Sequence, residues 1–110
     1  MQVQTIINQP GPLPIKVSFK SPLDGPALLV VTGSVWSNAA NANLTVNVLL
    51  DNNQIGTAQI WSNGTGTHRA FPTLFLGFKL TYGEHVLTLK AGNGNVITDL
   101  NDPFNASLIF

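Results

Sequence analysis

Apolar and polar residues alternate one by one along most of this chain, and no stretch keeps the 3.6-residue spacing of an amphipathic helix. In LTVNVLLD, Leu44, Val46, Val48 and Leu50 fall on one face, while Thr45 and Asn47 fall on the other. RAFPTLFLGFKL reads as one continuing strand with Leu74, Leu76, Phe78 and Leu80 aligned, and HVLTLKA returns with His85, Leu87 and Leu89 on a common side. ALLVVTGSVW, which opens on five apolar residues in a row, reads as a buried strand, and QIGTAQIW as the return of a hairpin.

The punctuation between these runs is chemically specific. SPLDGP, DNNQ, SNGTGTH, TYGE and GNGN supply Pro, Gly, Asn and Asp, the residues that set or tolerate turn backbone. TIINQ and PIKVSFK border prolines, which lack a ladder donor, so both are expected at sheet edges. FNASLIF alternates to the last residue, with Phe104, Ala106, Leu108 and Phe110 aligned, which predicts a central final strand. Seven to nine short strands divided by turns predict an all-β fold, an antiparallel β-sandwich of jelly-roll type. At 110 residues, with no linker or low-complexity tract, the chain is expected to form one domain over 1–110.

Composition changes the picture in one respect. Only 9% of residues are Asp, Glu, Lys or Arg, against about 25% in ordinary soluble domains. Five positive and five negative charges are scattered and cancel, so no basic cluster exists to displace counterions from phosphates, and nucleic acid is an unsuitable partner. A neutral, charge-poor surface disperses a monomer poorly, and burying part of it against copies of the chain is the simplest remedy. A homo-oligomer is therefore expected. There are no cysteines, so disulfides and thiolate metal sites are excluded. The N-terminus MQVQTIINQPG lacks the basic start and apolar core of a signal peptide, and the longest apolar run, Ala27 to Val31, is too short to span a bilayer.

Candidate chemistry is sparse. His68 and His85 sit in no nucleophile or metalloprotease signature, and the five acids all lie in or beside turns, so no enzyme and no cofactor is expected. Asp99, Asn101 and Asp102 carry the oxygen donors that Ca²⁺ takes, but without an EF-hand pattern; the stronger reading is a turn closed by Asp and Asn side chains on their own backbone. Trp36 and Trp61 each close a strand in a repeated Trp-Ser-Asn. Such rings serve the core, a subunit interface, or a platform that stacks on a sugar. Together with His68, Arg69 and Tyr82 they form the candidate ligand-binding set.

The segment GEHVLTLKAGNGNVITDLNDPFNASLIF resembles short bacterial jelly-roll domains related to tumour necrosis factor and complement-type globular heads. Gly83, His85, Leu87 and Leu89 meet its Gly-x-His-x-Leu-x-Leu strand, and Asn101, Asp102, Phe104 and Asn105 its Asn-Asp-x-Phe-Asn approach to the last strand. The resemblance implies a compact homotrimer and a role in binding or assembly; it carries over no ligand residues. The expectation is a non-enzymatic homotrimeric head recognising a glycan or surface ligand. The alternative is a purely structural oligomerisation domain.

Overall fold

The alternation builds nine strands in the computed structural model, which describes residues 1–110: β1 (Val3–Pro10), β2 (Ile15–Ser21), β3 (Gly25–Val35), β4 (Ala42–Leu50), β5 (Asn53–Ser62), β6 (Arg69–Ala70), β7 (Leu74–Leu80), β8 (Gly83–Ala91) and β9 (Pro103–Ile109). They form two antiparallel sheets. The first runs β1-β9-β3, with β6 and β7 sharing the far edge of β3; the second runs β2-β8-β4-β5. Apart from the β4–β5 hairpin and the β6–β7 step, every connection passes from one sheet to the other, which is a jelly-roll sandwich.

The proline-bordered strands β1 and β2 are edges, and β9 lies between β1 and β3, as the sequence leads one to expect. At the β4–β5 turn, Asp51 and Asn52 adopt φ of 50° and 67°, the left-handed pair that matches strand twist in a two-residue hairpin.

Inward positions of both sheets close one core. Ile7, Leu29, Val31, Phe104 and Leu108 from the first sheet meet Leu44, Val46, Val48, Leu87 and Leu89 from the second, all at most 1% exposed. Each such side chain contributes roughly 1.5–3 kcal/mol of burial. Gly33 is required here by space: a Cβ would run into the Phe104 ring and stand 2.8 Å from Phe71.

One expectation needs correcting. RAFPTLFLGFKL is not continuous, because the chain leaves the sheet between β6 and β7. Phe71 turns inward and donates its N–H to the Gly33 carbonyl at 3.1 Å, while Pro72, without an N–H, cannot continue the ladder.

Strand register separates two ends of the sandwich. The β1–β2, β3–β4, β5–β6 and β8–β9 connections gather at a loop end. The β2–β3, β4–β5 and β7–β8 turns and both termini lie at the opposite, hairpin end.

Candidate functional site

Asp102 organises the loop end. Its side chain is fully buried, and its Oδ1 accepts hydrogen bonds from the Ser34 hydroxyl and from His68 Nδ1, the latter at 2.7 Å. Its Oδ2 accepts the Asp99 N–H at 2.9 Å, and its main-chain carbonyl accepts the Gly11 N–H at 2.8 Å. One carboxylate thus ties β3, the β5–β6 loop and the β8–β9 loop together, and its backbone adds the β1–β2 loop. The bond to Asp102 raises the His68 pKa above its ordinary 6.5, partial burial opposes this, and the charges of Asp102 and Asp99 add to it. The imidazole therefore donates from Nδ1.

Asp99, Asn101 and Asp102 fold the loop on itself. The Asn101 N–H donates to Asp99 Oδ1 at 2.8 Å, and the Asp102 N–H to the Asp99 carbonyl at 3.1 Å. His68, Asp99 and Asp102 offer ligand atoms within 4.8 Å of one another. Both Asp102 oxygens and His68 Nδ1 are already engaged, which leaves His68 Nε2 and Asp99 Oδ2, 4.0 Å apart. Even with the Asn101 amide oxygen added, these fall well short of the six to eight oxygens Ca²⁺ takes.

The two Trp-Ser-Asn copies have different surroundings. Trp36 follows β3 and exchanges both main-chain hydrogen bonds with Ile97, at 3.0 and 2.8 Å. Its ring lies 5.5 Å from the His68 ring at a 35° tilt, and its indole Nε1 is buried without a protein acceptor. Trp61 ends β5, the free edge of the second sheet, and is 53% exposed. Its indole N–H donates to Asn63 Oδ1 at 2.5 Å, which fixes the ring as an open platform. Beside it on β4 stands Asn43, whose carbonyl accepts the Asn93 side-chain amide at 2.9 Å.

A pocket of about 360 Å³ opens between the β3–β4 and β8–β9 connections, lined by Ser37, Asn38, Ala39, Gly94, Asn95 and Ile97. No charged side chain lines it. Asn38 and Asn95 did not stand out singly in the sequence; the only signal was the asparagine density of SNAANAN and GNGN. Arg69 is exposed on β6 at the same end, paired with Val35. Tyr82 is 63% exposed at the hairpin end, with the Lys20 ammonium 5.3 Å from its ring centre. The fold thus brings Trp36 and His68 into contact, sets Trp61 and Arg69 at the same end, and leaves Tyr82 at the other.

His85 belongs to the hairpin end and is 9% exposed. Its Nδ1 stands 2.6 Å from Asp51 Oδ2 and its Nε2 2.7 Å from the Thr81 carbonyl, so both ring nitrogens face acceptors. The Asp51 bond raises its pKa above 6.5; burial opposes this, and the Thr81 carbonyl and the charges of Asp51 and Glu84 reinforce it. Burial alone would push the Asp51 carboxyl up, but the bonds from His85 and the Val86 N–H hold it below 3.8.

No protein-family model matches this chain, and no curated protein sequence does. Solved structures do match in fold. A family 35 carbohydrate binding module from Clostridium thermocellum superposes with a TM-score of 0.56 at 15% identity, covering 86% of this chain and 68% of that one. The family 35 module of Cellvibrio japonicus Abf62 gives 0.56 at 14% identity, covering 88% of this chain, which spans only 64% of that module. Eiger, a tumour necrosis factor from S. frugiperda, gives 0.62 at 8% identity over 97% of this chain and 94% of its own. At such identities the likeness is one of fold: this chain has the jelly roll that both kinds of protein share.

Proposed function

We propose that this chain is a non-enzymatic carbohydrate-binding module that holds a neutral glycan at the loop end. The observation that carries this reading is Trp61, a half-exposed indole whose N–H is pinned by Asn63, at the same end as an uncharged pocket lined by amides. A sugar ring presents an apolar C–H face and a rim of hydroxyls. An immobilised indole face suits the first, and the exposed amides of Asn38 and Asn95 suit the second. The near absence of charge favours a neutral ligand over a phosphorylated one. The fold likeness to family 35 carbohydrate binding modules supports the same class.

Glycan-array screening followed by titration tests this reading. Trp61→Ala is expected to weaken binding about thirtyfold, corresponding to about 2 kcal/mol, and to abolish the change in Trp fluorescence. Its melting temperature should be nearly that of the parent, since the ring is half in solvent. Equal binding by both proteins would sink the loop-end site.

A second reading, assembly of the chain into a homotrimer, is favoured by the outer face of the first sheet. Strands β1, β3 and β9 contain no charged residue. Val3, Ile109 and Leu28 form one outward row near the hairpin end, next to Val30 and Phe75, and Phe75 is 63% exposed. Such a face is suited to closing against copies of itself. Light scattering on a size-exclusion column is expected to give the mass of three chains, and Phe75→Lys the mass of one. A single-chain mass for the parent at high concentration would rule assembly out.

A further inference from the structure

We infer that the opposite half of that same outer face, near the loop end, is a second saccharide site, one that takes a single neutral sugar ring. Strand register puts three polar side chains in one outward row: Thr32 on β3 stands opposite Asn105 on β9, and Asn105 opposite Asn8 on β1. Their neighbours on the inward parity, Ile7, Phe104 and Ala106, are buried in the core, so the row itself faces out. Around it lies a pocket of about 210 Å³, walled further by Ser34, Ala70 and Phe104. The pocket opens where the sheet edge is interrupted. β6 covers Ser34 and Val35 of β3, β7 begins opposite Val31, and the chain between them dips inward at Phe71.

The unspent hydrogen-bonding capacity of this row defines the ligand. The Asn8 amide and the Thr32 hydroxyl make no hydrogen bond within the protein, unlike Asn105, whose Oδ1 accepts from the Ser107 hydroxyl at 2.9 Å. The Asn105 amino group is left with its two N–H donors. Two amides and a hydroxyl in neighbouring register positions offer donors and acceptors at the spacing of adjacent strands, roughly 5 Å. That arrangement suits hydroxyls set across one ring from each other rather than adjacent ones. No charged side chain lines the pocket, so a phosphate, carboxylate or ammonium group would find no counter-charge there. The volume lies below the roughly 300 Å³ at which sites for drug-sized ligands begin, which limits the occupant to one ring of a chain or its terminal unit.

This site shares its ligand class with the function proposed above but does not depend on Trp61, which lies on the far edge of the other sheet. The test is a titration of the isotope-labelled full chain with neutral methyl glycosides of gluco, galacto, manno and xylo configuration, followed by backbone and side-chain amide resonances. The expected result is saturable shifts at the Asn8 and Asn105 side-chain amides and the Gly33 backbone amide. These should persist in Trp61→Ala and weaken three- to tenfold in Asn8→Ala, an exposed edge-strand change that leaves the fold intact. No shift at Asn8 or Asn105 with any of the glycosides overturns the second site. Shifts confined to Trp61 and Asn63 overturn it too, while leaving the loop-end site standing.

Discussion

Replacing Asp102 with Ala is expected to lower the stability of the folded chain by about 3 kcal/mol, a sizeable share of the roughly 5–15 kcal/mol typical of a domain. The carboxylate is fully buried, and its loss leaves the Ser34 hydroxyl and the Asp99 N–H without an acceptor. Both donors are part-buried, and each one so abandoned costs about 1 kcal/mol or more, the rest coming from the space the carboxylate leaves. His68 is partly exposed and finds water instead, so its share is smaller. The corresponding fall in melting temperature is on the order of 10 °C. Asp102→Asn should lie between, since it keeps one acceptor oxygen but turns an N–H₂ toward existing donors. A melting curve for Asp102→Ala within a degree or two of the parent would show that the loop end does not depend on this carboxylate.

Raising the pH from 6.5 is expected to weaken the fold, because His85 has a folded-state pKa above that value. Such a group contributes its full stabilisation below the unfolded pKa and loses it as pH climbs through the folded one. Asp51 works in the other direction: its folded pKa lies below 3.8, so its contribution is present above 3.8 and disappears as pH falls through the lower value. The pair therefore supports the hairpin end most between 3.8 and 6.5. The alkaline decline cannot exceed about 1.4 kcal/mol per pH unit for each proton released. His68, raised in the same direction by Asp102, adds to that decline from the loop end.

His85→Ala removes a ring that lies 5.7 Å from Phe19 as well as the donor to Asp51. A loss on the order of 2–3 kcal/mol is expected near pH 6, with a visibly flatter alkaline limb. Urea unfolding of parent and variant across the pH range reads both. A parent stability that rises steadily above 6.5 would contradict the imidazolium reading of His85.

Strands, turns and sheet edges were legible from the residues because period-two alternation and turn chemistry act locally. The DNNQ segment announces a hairpin since Asp and Asn accept positive φ, and Asp51 and Asn52 have it. Alternation that reaches Phe110 requires a paired partner on each side, and β9 has both. The inward turn at Phe71 was not legible. The apolar run on either side suggested continuity, and only the Gly33 carbonyl and the space beside Phe104 draw that ring inside.

The candidate site was legible only as a set of residue types. Trp36 and Trp61 occur in the same tripeptide, and both follow the outward parity of their strands, next to inward Val35 and Ser62 respectively. Trp36 is then covered by Ile97 and His68 arriving from two other loops, while nothing arrives over Trp61 on its edge strand. Likewise Asp99 and Asp102 look alike within ITDLNDP, yet only Asp102 is buried and hydrogen-bonded to Ser34 and His68, which lie 68 and 34 positions away in the chain. The sequence by itself determined the strands, the turns, the neutral surface and the absence of thiol chemistry, all consequences of neighbours a few residues apart. Which aromatic ring stays open, which carboxylate is buried and which polar row faces a pocket were decided by the tertiary structure, because each depends on what distant segments bring over it.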